Sequence, residues 1–326
     1  MKEKEKQRKE NFFKSDSGRM FLAKYGIGII LVIMMVFIAV AEPSFLTGRN
    51  MINVATQISI NGLLTFGMCL AIVAMGIDLS VGAQLALTSV VIAKCLVSGI
   101  PTGLAIFLGI AVAATFGFIN GVLIAQFDMF PFVVTLSTQL IIRGLAQVLS
   151  GGKAIAIQEQ GFRQIYISKI LGIPIPIVIF VFITILMYIM LHWTKFGRYI
   201  FAIGGNVNAA VASGVSKKKT LIGIYTISGI LAGIAAVIYT SKVLSGQSNF
   251  GVGYETDAVA ASVLGGTSFA GGIATIPGDV LGIFIIGFIY NGMNLIGVSS
   301  YYQTIVKGCV IIGAVMLDLA LNKKKQ

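Results

Sequence analysis

A chain of 326 residues that is 56% hydrophobic and only 11% charged, with a mean hydropathy of +0.93, has more apolar surface than a water-soluble fold of this length can bury. The net charge of +12 does not mark a nucleic-acid binder, because the cations are clustered: eight of the 24 Lys and Arg lie in residues 1–24, three at Lys217–Lys219 and three at Lys323–Lys325. These clusters flank apolar segments, as cytoplasmic ends and loops do under the positive-inside rule. The composition therefore reads as an all-α polytopic membrane protein, with the lipid bilayer as its medium and no nucleic acid as partner.

In chain order, residues 1–24 read as a basic cytoplasmic N-terminal tail, 25–321 as a single transmembrane domain and 322–326 as a basic cytoplasmic C-terminal tail. Ala39-Val40-Ala41 resembles a signal-peptidase site. The 24-residue basic region before it and the apolar segment soon after it favour an uncleaved first span. Charge-free stretches such as Asn50–Ile77, Cys95–Phe127 and Val280–Val306 reach the roughly 20 residues that a spanning helix needs. Ten spans are expected, at 23–42, 51–74, 79–98, 102–126, 129–149, 171–193, 220–241, 258–278, 280–299 and 303–321. From a cytoplasmic N-terminus, six spans place the 194–219 connection inside with Lys195, Arg198 and Lys217–Lys219, and four more return the C-terminal tail to the same side.

The weakest spans are 79–98, 129–149 (interrupted by Arg143) and 258–278, which contains Gly265, Gly266, Gly271 and Gly272. One of them is a candidate re-entrant segment, and parity requires such conversions in pairs. Among the 39 glycines, Gly117 with Gly121, Gly229 with Gly233 and Gly278 with Gly282 stand four residues apart. That spacing puts two small residues on one helix face and lets backbones approach closely.

Tight packing does not account for GIDLSVG (76–82) or GGTSFAGG (265–272), where glycine is too dense for a regular helix. Asp78, framed by Gly76 and Gly82, would cost roughly 2.5–3.5 kcal/mol at the centre of a spanning helix. It belongs at a helix break, in a water-filled cavity or against a protein partner, with Arg143 as one conceivable partner. Shifting the chain by 190 residues aligns Gly76 with Gly266, Asp78 with Ser268, Ser80 with Ala270 and Gly82 with Gly272. Broken segments in two corresponding places are a pattern of transporter binding regions.

Several chemistries find no support. Cys69, Cys95 and Cys309 are widely spaced and odd in number, so neither a disulfide framework nor a zinc site is indicated. No metal-ligand cluster exists, and no metal or cofactor is expected. Ser268 needs a base within reach to act as a nucleophile, and the single histidine, His192, sits at the expected inner end of span six beside Trp193 and two basic residues. No catalytic residue is assigned. A self-sufficient secondary carrier or facilitator for a small polar solute stays open, although Asp78, Arg143, Glu255 and Asp257 are few ionisable groups for ion coupling. No phosphate-binding G-x-x-x-x-G-K-[ST] loop is present, so ATP-driven motion would have to enter from a partner. The docking candidate is the 194–219 connection, whose GGNVNAAVASGVS (204–216) can form a short surface helix between Gly205 and Gly214.

GIDLSVG, the GGNVNAAVASGVS loop, GYETDAVAASVLGGTSFAGG (253–272) and NGMNLIGVSSYYQTIVKGCVII (291–312) resemble, in the same order, the permease subunits of ribose-type simple-sugar ABC importers. The resemblance runs from about residue 45 to 318. It implies about ten helices in one permease domain, a second permease copy (identical or a close paralogue), a cytoplasmic ABC ATPase and an extracytoplasmic sugar-binding protein. It also implies a coupling role for the 194–219 loop, with Gly205, Asn206, Ala209, Ala210 and Gly214 as matching positions. Gly76, Asp78, Ser80 and Gly82 form the signature break, and Gly265, Gly266, Ser268, Gly271 and Gly272 the glycine cluster near the pathway. Gln84 and Asn294 are polar residues open to either a pathway role or an interhelical hydrogen bond. Asp78 is expected to brace the break, and Gly-Val-Ser-Ser-Tyr-Tyr (297–302) points to ribose.

Overall fold

A computed structural model describes residue 29 and residues 31–322; the basic tail at 1–24 and the Lys323–Lys325 cluster lie outside the described residues. The described helices are α1 (Leu31–Ala41), α2 (Gly48–Val73), α3 (Val81–Val97), α4 (Thr102–Gln126), α5 (Pro131–Ser150), α6 (Gln160–Ile167), α7 (Ile175–Trp193), α8 (Lys195–Gly205), α9 (Val207–Ala212), α10 (Lys217–Val243), α11 (Tyr254–Leu264), α12 (Ile276–Leu295) and α13 (Ser300–Asn322). Two antiparallel pairs of two-residue strands join loops: Ile155–Ala156 with Ser245–Gly246, and the hairpin Lys169–Ile170 with Ile173–Pro174.

Among the described residues six helices (α2, α4, α5, α7, α10 and α12) are long and apolar enough to cross a membrane, and α1 and α3 are shorter apolar helices. The chain is a polytopic helical membrane protein. Helix starts follow local chemistry. Pro131, Pro176 and Pro277 lie in first turns, where a missing N–H leaves nothing unsatisfied, and Thr194, Ser216 and Thr275 accept backbone N–H bonds as N-caps.

Two expected spans take another form. The segment 258–278 is not one helix: α11 ends at Leu264, and Gly266, Gly271 and Gly272 adopt positive φ before Thr275 caps α12. The span expected from 171 begins at Ile175, because residues 169–174 close a hairpin through Leu171 and Gly172, both at positive φ.

Burial identifies the hub. Of the most apolar 18-residue window, 89% is buried in α2 against 22% in α4 and in α7. The four-residue glycine pairs build the contacts around it. A Cβ at Gly117 or Gly121 would strike the α10 backbone at Tyr225 or Ile222, and one at Gly229 or Gly233 would strike α4 at Ala113 or Ile110. Both pairs thus lie on the two sides of one α4–α10 crossing. Gly278 and Gly282 press α12 onto α11 at Gly265 and Ala261 in the same way.

Between α10 and α11 the chain dips back into the body. Gly246 packs on the Ser89 carbonyl of α3, and Gly251 on Gly82. Arg143 does not pair with Asp78; its Nη1 donates to the carbonyls of Ser248 (2.7 Å) and Phe250 (2.6 Å), which holds this loop against α5. Substituting Gly117→Val should drive a side chain into the α10 backbone and destabilise the fold by about 1–3 kcal/mol. Gly144→Val on α5 faces open space and serves as control. Thermal unfolding in detergent should show a lower midpoint for the first variant only; equal midpoints would refute the crossing.

Candidate functional site

The signature break begins where α2 runs out. Met75 enters the left-handed region (φ 60), its N–H bonds the Ile72 carbonyl, and the Gly76 N–H returns to Ala71 at 2.8 Å. This is a Schellman-type stop, which satisfies the last carbonyls of the helix. The chain then turns back along α2, so that Asp78 is fully buried beside Ser228 of α10.

Asp78 Oδ1 accepts from the Ser80 N–H (3.1 Å) and the Ser80 hydroxyl (2.6 Å), and Oδ2 accepts from the Ser228 hydroxyl (2.7 Å). Ser80 Oγ in turn accepts from Gln84 Nε2 (2.8 Å) and Asn120 Nδ2 (2.9 Å). Five polar side chains from the break, α3, α4 and α10 thereby form one buried network, and Tyr225 OH reaches the Ile77 carbonyl at 3.5 Å beside it. No cation faces Asp78; the ion pairs among the described residues are Lys217–Asp128 and Lys307–Asp257. Hydrogen bonds from hydroxyls and a backbone amide take the place of a counter-charge. Gln84 belongs to this brace and is 1% exposed.

The glycine-cluster break repeats the plan with one residue fewer. Gly266 (φ 90) bonds Val263, and the Thr267 N–H returns to Ser262. Ser268 Oγ accepts from the Ala270 N–H at 3.2 Å, as Asp78 accepts from Ser80. The 190-residue shift thus holds for Asp78/Ser268 and Ser80/Ala270. At the helix ends the shift is 191, and Gly266 corresponds to Met75 rather than to Gly76. Beneath this break Thr267 Oγ1 donates to buried Asp279 Oδ1 (2.8 Å) and lies 3.6 Å from Cys69 Sγ.

The two breaks meet each other and the 194–219 connection. The Gly272 N–H donates to the Val73 carbonyl at 2.9 Å. Gly204, near the end of α8, lies against both groups, and a Cβ there would strike them; one at Gly271 would strike Met75 and the Gly204 carbonyl. Gly205 is exposed, and Asn206 Oδ1 caps the six-residue α9 by accepting from the Ala209 N–H (3.0 Å). Ala210 anchors α9 inward, 5% exposed, while Ala209 and Val211 face outward. Gly214, at φ +85, ends the helix. Lys217 pairs with Asp128 next to α9 and holds that exposed carboxyl below the usual carboxylate range, a surface contact of small energy.

Asn294 lies away from both breaks, exposed at the far end of α12 and accepting from Gln303 Nε2 (2.8 Å). Ser228, Asn120, Asp279 and Gly204 were not singled out by sequence. Their partners are separated by 12 to 150 positions or meet only through the backbone, so no local spacing marks them.

Residues 50–315 match the permease family described as branched-chain amino acid transport system / permease component. The chain belongs to this permease family. It is 43% identical over 299 residues to the ribose import permease protein RbsC of Bacillus subtilis (strain 168), covering 91% of this chain and 93% of that one. The ribose import permease protein RbsC of Escherichia coli (strain K12) is 39% identical over 321 residues, 95% of this chain and 98% of its own length. The D-allose transport system permease protein AlsC of the same strain is 37% identical across 93% of this chain and 94% of its own. No solved structure matches the chain.

Truncating the brace tests it. Asp78→Ala strips three donors of their acceptor in a dry site and should destabilise the permease by about 1–3 kcal/mol. Asp78→Asn keeps one carbonyl acceptor and should lose less. Melting midpoints ordered wild type, Asn, Ala bear this out; an alanine variant as stable as wild type would show that the network holds nothing.

Proposed function

We propose that this chain is the membrane-spanning permease subunit of an ABC importer of the bacterial inner membrane, carrying a simple sugar, ribose in the first place. The observation that carries the reading is near-full-length similarity to ribose import permeases at 43% and 39% identity, above the allose relative at 37% and the L-arabinose permease of Escherichia coli (strain K12) at 34%. A soluble binding protein delivers the sugar, a second permease copy completes the pathway, and a partner ATPase hydrolyses ATP. The permease itself performs no covalent chemistry.

The geometry supports a route for coupling. An outward-facing α9 of small residues is seated on α8, whose Gly204 touches the Val73 and Gly272 backbones. Displacing α9 moves α8, and α8 has no side chain at that point to absorb the motion. Force from an ATPase bound at α9 thus reaches both breaks together.

The proposed topology has ten crossings: α1 to α5, α7, α10, the broken α11, α12 and α13. Both tails and the α8–α9 pair face the cytoplasm, as the basic clusters require. Reporter fusions after Gly99, Lys153 and Gly297 should read outside and one after Asn208 inside; any reversal redraws the topology.

Proteoliposomes holding this chain with its cognate ATPase and binding protein should take up ribose only with ATP, and allose and arabinose more slowly. Sugar movement by the chain alone, without ATP, would favour a self-sufficient carrier. Ala209→Trp and Val211→Asp change outward-facing side chains and should weaken ATPase retention about tenfold, or 1.4 kcal/mol, without altering the melting midpoint. Undiminished retention would place docking elsewhere.

A further inference from the structure

Polar side chains at Gln57, Asn61 and Thr65 recur every four residues on α2 and so share one face. All three line a cleft opposite Asp257 of α11 and Tyr290 of α12. Gln57 and Asn61 lie nine and thirteen residues into α2, about 14 and 20 Å along its axis, well inside an apolar span. Gln57 is exposed, Asn61 half-buried, and neither amide has a hydrogen-bond partner among the described residues. An unpartnered amide at membrane depth requires water or a polar ligand.

The same face continues to Cys69, one turn past Thr65, where Thr267 donates to Asp279. Asp279 is fully buried, with the Cys69 thiol beside its carboxyl and no N–H or O–H donor on Oδ2. The stripe therefore points from the open cleft toward the buried Asp279 carboxyl beneath the glycine-cluster break. On the opposite wall, Lys307 Nζ stands 2.7 Å from Asp257 Oδ1, and Tyr290 OH donates to the same oxygen at 2.8 Å. That wall offers polar groups with its charge compensated.

Amides and hydroxyls that donate and accept, with no uncompensated cation, suit a neutral polyhydroxylated solute. We propose that the Gln57–Asn61–Thr65 face of α2 is the polar track of the transported solute, closed at its inner end by Thr267 and Asp279. The solute class rests on the sugar-import reading; the route rests on the cleft. The cleft holds 50 Å³ of free space, room for a few waters and too little for a sugar ring. The structure thus shows the track closed, and passage requires α2 to separate from α11 and α12.

The test uses the complete complex with ATPase and binding protein in proteoliposomes. Gln57→Leu and Asn61→Leu should each cut ATP-driven ribose uptake about tenfold, with ATPase co-purification and melting midpoint unchanged, while Asn61→Ser, which keeps a hydroxyl, recovers most of the rate. In parallel, Gln57→Cys and Asn61→Cys should react with a charged, membrane-impermeant thiol reagent above the background of the native cysteines, and Ile60→Cys, buried off the track, should not. Saturating ribose during ATP turnover should slow both reactions. Wild-type uptake by the leucine variants, or cysteines inert to the aqueous reagent, overturns the track. Reactive cysteines alongside a wild-type complex that moves no sugar would leave the route standing and sink the sugar-import reading.

Discussion

Three backbones meet at the carbonyl of Val73, and the rest of the inner half of the protein is arranged so that they can. The Gly272 N–H bonds that carbonyl, Gly204 packs on both groups, and Gly271 packs on Met75 and Gly204. Any Cβ at Gly204 would push the end of α2, the glycine-cluster break or α8 away from the others. Close packing of this kind has two arrangements rather than a continuum, because a packed core yields by switching contacts and not by stretching.

The two breaks answer one problem in two ways. Each stops a helix inside the bundle with a residue at positive φ and a backbone bond returning five residues, and each then turns through a side-chain oxygen that accepts an N–H two residues on. At the first break the oxygen is a carboxyl held by Ser80 and Ser228; at the second it is the hydroxyl of Ser268. The carboxyl ties three further elements, directly through Ser228 and by way of Ser80 through Gln84 and Asn120. The second is stacked on α12 through Gly265 and Gly278, and Thr267 ties it to Asp279.

Three charged groups in the membrane-embedded part each meet a polar partner. Asp257 meets Lys307, Arg143 meets two loop carbonyls, and Asp78 meets hydroxyls. Lys307 and the Ser248 and Phe250 carbonyls come from far along the chain, whereas Asp78 is held both by its neighbour Ser80 and by Ser228 of α10. A charged side chain in a span thus marks a place where another segment of chain arrives.

Much of this was legible in the linear chain. Hydropathy placed α4 at 102–126, and four-residue glycine spacing marked the α4–α10 and α11–α12 contacts, because helix geometry alone puts such residues on one face. Dense glycine marked both breaks, and Gly205 and Gly214 bounded the surface helix, which Asn206 caps in the structure. Local chemistry decides each of these within a few residues. What the chain could not disclose is who stands opposite whom: that Asp78 faces Ser228 and not Arg143, that 258–278 opens into a helix and a loop, and that Gly204 reaches Val73. The Asp78–Ser228 and Gly204–Val73 pairings join positions 150 and 131 residues apart, and each depends on the mutual orientation of helices whose surfaces are almost uniformly apolar. Periodicity cannot orient a helix that is apolar on every side; only packing decides which face turns inward.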